Sequence, residues 1–560
     1  MTQTRQVPVY EALAHDIRNL GIDAVFGLMS DDTAAFVSTL DAMGVRFYGA
    51  RHENNACAMA EGYSAATGKL GIAVLGRGPA TANAVHGAGY ALRTGSRVML
   101  ICGETSTAAG APNSLGPDTK TFNGVAVLQA TGLRTFVASE PSGARKTLAS
   151  AIAASKTGAV AFLLPVNVQF APIDFDGPMA AQASRAAAPR PARAPAIKTA
   201  AAVLRESRRP LFIVGVGAFR AGAREAIEAL ADKAGAVLAT TLKAKEMFRG
   251  NPYNIGVVGS FSHAAGRRLI DQADCVVAFG AGLNLRTTSH GRSIPSDVPL
   301  IQVDADRSHI GRWFHADVAI VADAKQAATQ LAEALPSRDE SEKEFYTADT
   351  RDRLAASDLS REFEAAHTAR TIDPRAAAMA FDRLLPTDRN IVYDAGNFIQ
   401  IATFVSVPGP GQIKQASDFG SIGMGFGTAL GFAVGAPERP TVLFMGDGSF
   451  LMTMTELETA VREDIPLVII VMNDAAYGAE VHYLKLRNLA VARSQFADVD
   501  LGPVAEAFGF EVATVRSLAD IEALAPLLKN PVGHILIDCK INGAIAAPFL
   551  LEGFEAESRK

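Results

Sequence analysis

The chain predicts an α/β protein built of three units, and three observations predict it. Thr441 to Met445 and Leu467 to Met472 are apolar runs framing a glycine turn and a helical stretch, as parallel strands buried on both faces do. Hydrophobic residues fill 49% of the 560 positions and 49 residues are glycine, enough apolar material for large cores joined by many strand–helix turns. Two composition shifts divide the chain: an Ala/Pro/Arg-rich stretch from Gly177 to Pro195, and a charged stretch opening at Ser337. The expected units are 1–180, 197–335 and 365–560, with linkers at 181–196 and 336–364.

In the first unit, Gly27-Leu28-Met29-Ser30-Asp31-Asp32 reads as a turn before a helix beginning at Thr33. Asp31 and Asp32 carry two readings, an N-cap pair for that helix or an acidic lining of a binding loop. Arg51-His52-Glu53 leads into a helical stretch closed by Gly68, a C-cap glycine. A Glu at such a helix start is either satisfied by the dipole or positioned to move a proton. Gly76-Arg77-Gly78-Pro79-Ala80-Thr81-Ala82-Asn83, with His86 and Gly87 beyond, is a glycine-rich segment. His86, like His482 far downstream, is either a satisfied polar histidine or a substrate contact.

The second unit opens on Pro210 to Gly217, a strand and glycine turn, before a helical stretch from Ala221 to Lys233. Arg220 stands where a dinucleotide fingerprint needs its third glycine. In the third unit, Gly420-Ser421-Ile422-Gly423-Met424-Gly425 precedes the strand at Thr441. Gly446-Asp447-Gly448 is expected as a tight turn, and Thr453 to Arg462 carries Met454, Leu457 and Val461 at helical spacing. The frame brings the Asp447 carboxylate beside a second oxygen ligand at Asn473-Asp474. Glycines admit a phosphate close to the backbone, and a helix N-terminus lies alongside. Two oxygen ligands plus diphosphate oxygens make a magnesium site, whereas the bland alternative is a turn with a solvated Asp.

Together these segments resemble the thiamine-diphosphate (ThDP) enzymes, in the branch of acetohydroxyacid (acetolactate) synthase and sulfoacetaldehyde acetyltransferase. The resemblance covers essentially the whole chain and implies three doubly wound parallel-sheet domains, pyrimidine-binding, central and diphosphate-binding in that order. It implies Asp447, Asp474 and the Ala476 carbonyl as magnesium ligands. Asp474 replaces the family's Asn, so Asn473 is held as a reserve ligand. Glu53 becomes the acid on the cofactor's aminopyrimidine ring, and Ile422 its apolar prop, a role compatible with being a core residue. Pro79, Asn83, Gly420, Gly446, Gly448, Ser449, Tyr477 and Gly478 become cofactor contacts. His86 and Glu480 become catalytic candidates, Glu480 otherwise reading as a surface helix residue.

The implied activity is a carbon–carbon lyase or ligase, acetolactate-synthase-like. It would cleave a short 2-oxo acid or acyloin and pass the acyl-anion unit to an acceptor. A non-oxidative 2-oxo-acid decarboxylase is the alternative enzyme, and a catalytically silent ThDP-binding partner subunit the alternative class. Gly103 to Asn123 lacks the adjacent His pair of pyruvate decarboxylase, which speaks against an enzyme of that kind. The cofactors expected are thiamine diphosphate and Mg2+, with FAD, ADP or nothing left open for the central domain. The resemblance further implies a homodimer or homotetramer whose active sites lie between subunits, so that Glu53 meets Asp447 of another copy.

Net charge of −5 makes no case for nucleic acid or an anionic membrane as partner, so a small-molecule substrate is expected. No apolar run approaches the roughly 20 residues of a membrane span, and no charged-then-apolar leader is seen at the start. Cys57, Cys102, Cys275 and Cys539 are isolated, as reduced buried thiols of a cytoplasmic protein are.

Overall fold

The computed structural model describes residues 5–108, 118–179, 189–295 and 297–558. Each domain is built on a six-stranded, all-parallel sheet covered by helices, and the first adds an antiparallel pair, Arg5–Pro8 with Pro172–Phe175. In the first, the strands lie side by side as Arg46–Gly49, Ala24–Gly27, Gly71–Leu75, Val98–Glu104, Val160–Pro165 and Arg134–Val137. In the third they lie as Ile413–Gln415, Asn390–Tyr393, Thr441–Gly446, Val468–Asn473, Ile535–Lys540 and Glu511–Val515. By order within each domain both sheets read 2-1-3-4-6-5, so the outer domains share one topology. The central sheet runs Asn254–Val257, Val237–Thr240, Pro210–Val214, Cys275–Phe279, Leu300–Asp304 and Val318–Val321, the 3-2-1-4-5-6 order of dinucleotide-binding sheets. The central strands of all three sheets are buried end to end, which is why they read as unbroken apolar runs.

The outer domains share a hydrophobic core that runs from Phe26 and Tyr63 to Phe426, Leu443 and Leu457. Its seam is a parallel pair of helices, Glu53–Thr67 and Met424–Gly435, each following the second strand of its sheet. Glycines let the two backbones touch: a Cβ on Gly62 would strike the Thr428 carbonyl, and one on Gly431 the Met59 carbonyl. The contacts are reciprocal, as a local twofold relation between the two domains requires. Beside the seam, buried Glu456 accepts from the Arg51 amide at 3.0 Å, Asn55 Nδ2 at 2.9 Å and Thr459 Oγ1 at 2.7 Å. The central domain has its own core and is tied to the third by Lys245. That buried ammonium donates to the carbonyls of Ala402, Thr403 and Val405 at 2.6, 3.2 and 2.8 Å.

Several local expectations are corrected. Gly446-Asp447-Gly448 is a helix start rather than a tight turn: Gly446 is an extended N-cap and Asp447 opens the helix Asp447–Thr453. The expected helix from Thr453 is a separate one, Glu456–Arg462. Gly222, at a φ of +59°, breaks the stretch after Gly217 into Val216–Arg220 and Arg224–Ala234. The helix Ala194–Glu206 starts inside the expected first linker, with Pro195 in its first turn, where a missing N–H costs nothing. Residues 181–188 of that linker, and 180 before it, lie outside the described residues. The second linker is packed down, with Phe345 buried and Tyr346 stacked on Tyr253 at 3.7 Å between ring centroids.

Thr33, with no side-chain cap bond, precedes the helix Ala34–Ala42, so Asp31 and Asp32 are not its N-cap pair. Asp32 accepts from Arg77 Nε at 2.7 Å and Lys120 Nζ at 3.3 Å, while Asp31 pairs with Lys120. The pair is largely neutralised by these cations rather than standing as a bare acidic lining. Gly68 closes the Glu53–Thr67 helix in the left-handed region at a φ of +70°, as expected.

Candidate functional site

In an open parallel sheet a crevice forms at the carboxyl ends of neighbouring strands whose connections diverge. In the third domain those strands are Asn390–Tyr393 and Thr441–Gly446, and a cavity of about 430 Å3 opens above them. Its lining gathers His86, Gly420, Ile422, Gly446, Asp447, Gly448, Ser449, Asp474, Ala476, Tyr477, Gly478 and Glu480, most of the expected site in one place.

Asp447 is only 4% exposed, at the first turn of its helix, and Asp474 ends the next strand's turn. The two carboxylates are in hydrogen-bonding contact, and the Ala476 amide N–H donates to both. Burial raises both above the usual carboxylate range, and the proximity of Asp447 raises Asp474 further. Two like charges ~4 Å apart repel by about 4 kcal/mol at an effective dielectric of ~20, so the pair calls for a proton or a cation between its oxygens. A divalent cation fits that donor set, with Asp447 and Asp474 to hold it. Asn473, the reserve ligand, is committed elsewhere. Its Nδ2 donates to Asp538 at 2.8 Å and its Oδ1 accepts from the Ala475 amide at 3.1 Å. That second bond holds Ala475 at a φ of +53°, uncommon for alanine, and so sets the turn presenting Asp474.

The glycines keep the crevice open. A Cβ on Gly448 would stand 2.6 Å from the Tyr477 ring, and one on Gly478 would collide with the Asp474 carboxylate. Tyr477 is half-exposed and braced edge-on by Phe496, ring centroids 4.6 Å apart. Ile422 projects from the loop before the Met424–Gly435 helix. Ser421 Oγ beside it is buried without a partner among the described residues. His86, half-buried, has its pKa lowered first by burial and then by His52, which favours a neutral imidazole. Glu480 is exposed at the rim with no ion pair among the described residues.

Glu53, Pro79 and Asn83 do not line this crevice. Glu53 is the first residue of its helix, 8% exposed, and its Oε2 accepts from Asn83 Nδ2 at 3.1 Å. Pro79 opens the short helix Pro79–Asn83 that presents Asn83. His482 is buried near the Gly543 and Ile545 backbone, its Nε2 without a partner among the described residues, and is not part of the lining.

Sequence reasoning missed three residues that build the site. Asp394, buried and pushed up to about 6 by burial, accepts from the Ala395 and Gly423 amides at 2.7 and 2.9 Å, fixing the loop that carries Ile422. Asn397 bridges the Ile545 carbonyl and the Ala547 amide, each at 2.8 Å, tying the C-terminal segment to the cavity wall. Phe398 forms the wall opposite Gly446. An Asp directly after the apolar strand Asn390–Tyr393 was the available signal for Asp394.

A second cavity of about 580 Å3 lies at the central domain's own strand crevice, lined by Gly215, Gly280 and Arg286. The turn beside it is tightly packed: a Cβ on Gly215 would stand 2.6 Å from Ala281 Cα, and one on Gly217 3.0 Å from Gly280 Cα. No helix among the described residues is long and apolar enough to cross a membrane.

Known proteins align with this architecture throughout. Residues 8–122 match the thiamine pyrophosphate enzyme N-terminal TPP binding domain, 197–331 the central domain, and 394–539 the C-terminal TPP binding domain. A probable 2-ketoarginine decarboxylase of Pseudomonas aeruginosa is 31% identical over 84% of this chain and 82% of its own length. The sulfoacetaldehyde acetyltransferase of Castellaniella defragrans is 25% identical over 95% and 91%. A probable acetolactate synthase large subunit of Methanocaldococcus jannaschii is 26% identical over 97% and 93%. Three domains in register with three observed sheets, and relatives aligned along most of their length, give one conclusion: the chain belongs to the thiamine pyrophosphate enzyme family.

Proposed function

We propose that this enzyme is ThDP- and Mg2+-dependent. It breaks the bond beside the carbonyl of a short 2-oxo acid or acyloin and transfers the acyl-anion unit to an acceptor, in the manner of the acetolactate synthases. The observation that carries the reading is the buried Asp447–Asp474 pair at the glycine-lined crevice of the third domain. When bound, thiamine diphosphate supplies a carbon nucleophile for a carbonyl and a sink for the electrons of the broken bond.

The chain's own residues supply the rest. Asp447 and Asp474 would hold the cation, with Ala476 beside them, while Gly446, Gly448, Ser449, Tyr477 and Gly478 make room for the diphosphate. Gly420 and Ile422 would support the cofactor's middle. Glu53 is the proton-holding group. Its Oε2 is taken by Asn83, which leaves Oε1 to hold a proton against a ring nitrogen. Because Glu53 lies outside the crevice of its own chain, the reading places it in the crevice of a second copy, in a homodimer or a tetramer built from such dimers. Neutral His86 can accept a proton from substrate, and Glu480 faces whatever enters.

One observation favours the decarboxylase reading. A relative at 31% identity carries that name, and the unpaired Glu480 carboxylate at the rim suits a 2-oxo acid with a cationic tail. FAD gains nothing from the Gly215–Gly217 turn, which is tightly packed; a visible absorption band in the protein as purified would restore it.

Proton NMR of the enzyme with ThDP, Mg2+ and pyruvate tests the proposal, run beside Glu53→Gln. Acetolactate or acetoin from the wild type alone is the expected result. Aldehyde and carbon dioxide, from pyruvate or a guanidino 2-oxo acid, would replace it with the decarboxylase reading. No turnover of any 2-oxo acid or acyloin, with ThDP still bound, would leave a silent cofactor-binding subunit.

A further inference from the structure

All three domains meet around another cavity, of about 590 Å3, which shares no lining residue with the ThDP crevice. Sites for small ligands are of this size. Among the described residues five cations line it, Arg97, Lys156, Arg220, Lys243 and Lys414, and no carboxylate does. Two are already neutralised: Lys414 Nζ lies 2.5 Å from Glu61 and Lys243 Nζ 2.5 Å from Asp418. Among the described residues the other three have no carboxylate within 4.0 Å. They come from separate domains, Arg97 and Lys156 from the first and Arg220 from the second, while Pro410 to Gln415 of the third closes the space.

Helix ends explain part of this charge. Arg97 Nη1 donates to the Gly68 carbonyl at 3.2 Å, at the end of the Glu53–Thr67 helix, and Lys156 follows the last turn of Ala144–Ser155. A cation at a helix C-terminus is ordinary. Such capping gives none of Arg97, Lys156 and Arg220 a full counter-charge, and an anion in the cavity would supply one. Ser96 and Thr94 add hydroxyl-bearing side chains to the walls, and Phe219 with Phe432 supplies flat apolar surface.

We propose that this three-domain junction binds a small phosphate-bearing ligand, its phosphates held by Arg97, Lys156 and Arg220. Cations gathered from two domains, with a wall from the third, would make the ligand a clamp on the domain arrangement. The source is either free phosphate or a nucleotide whose base lies on the aromatic walls. This inference stands apart from the reaction proposed above, because it uses none of that site's residues.

Isothermal titration of the holoenzyme, saturated with ThDP and Mg2+, with inorganic phosphate, ADP and adenosine tests it. Lys156→Ala/Arg220→Ala is titrated alongside. Neither residue lines the neighbouring central-domain cavity, so the variant tells the two spaces apart. Binding of phosphate or ADP that weakens roughly 10-fold per cation removed is the expected result. ADP binding much more tightly than phosphate marks a nucleotide site; equal affinities mark a phosphate site. Binding of ADP unchanged in the variant puts the ligand elsewhere and overturns the proposal, as does binding of neither anion. Lys156→Ala alone, at an exposed helix end, repeats the measurement if the double variant unfolds early.

Discussion

On the proposed function the chemistry rests most heavily on Glu53 and Asp447, and the two should fail in different ways when changed. Glu53→Gln keeps the size of the side chain and its contact to Asn83 while removing the titratable proton. ThDP affinity should hold within a few-fold while turnover drops by about 10²–10⁴, read by calorimetry and steady-state rates on one preparation. On the same reading Asp447→Ala removes one of the two carboxylates that would hold the cation, so ThDP should no longer bind in a magnesium-dependent way and added EDTA should change nothing. Asp474→Asn behaves differently again. It relieves a buried like-charge contact, so the metal-free protein should unfold at higher urea, by about 1 kcal/mol, while magnesium-dependent ThDP binding survives. A lower urea midpoint would show that the two carboxylates are not held against each other. These residues were legible because each sits at a strand end marked by glycine or by a neighbouring polar residue. Asp394, Asn397 and Glu456 were not, because their partners at Gly423, Ile545 and Arg51 lie far away in sequence.

At the scale of elements, the parallel helix pair of the two outer domains is the most demanding contact in the protein. Gly431 faces the Met59 backbone so closely that a methyl group has no room. Gly431→Ala should cost about 1–3 kcal/mol through overpacking despite its better helix propensity, and the urea midpoint would report it. A stabilised Gly431→Ala would mean that the two helices stand further apart than described. The sequence shows why such a helix escapes periodicity analysis. Met424–Gly435 is buried on nearly every side, so it has no polar face to mark its phase. The apolar strands, by contrast, were readable to within a residue at their ends. Turn geometry was less so: Gly-Asp-Gly permits a tight turn and a helix start alike, and only packing against Tyr477 and Ala476 selects the second.

For the whole molecule, the shared 2-1-3-4-6-5 strand order and the reciprocal helix contacts make the outer domains two halves of a local twofold arrangement. Three domains were visible in the composition shifts, but strand order was not, since it depends on which buried strands pair across many intervening residues. The arrangement puts Glu53 and the Asp447 crevice on different halves, and Glu53 does not reach the crevice of its own chain. If two copies complete each other's sites, Glu53→Gln and Asp447→Ala subunits must complement. In a mixed dimer one site pairs both defective halves and the other pairs both intact ones. Random mixing makes half the dimers mixed, so about a quarter of wild-type sites should return. Co-expressed, separately tagged subunits give that fraction in the unsorted pool, and about half of wild-type sites once dimers carrying both tags are purified and assayed. Activity that stays at the level of the two single variants would put Glu53 and Asp447 of one site in one chain, and the crevice described here would then have to close by domain movement within a single copy.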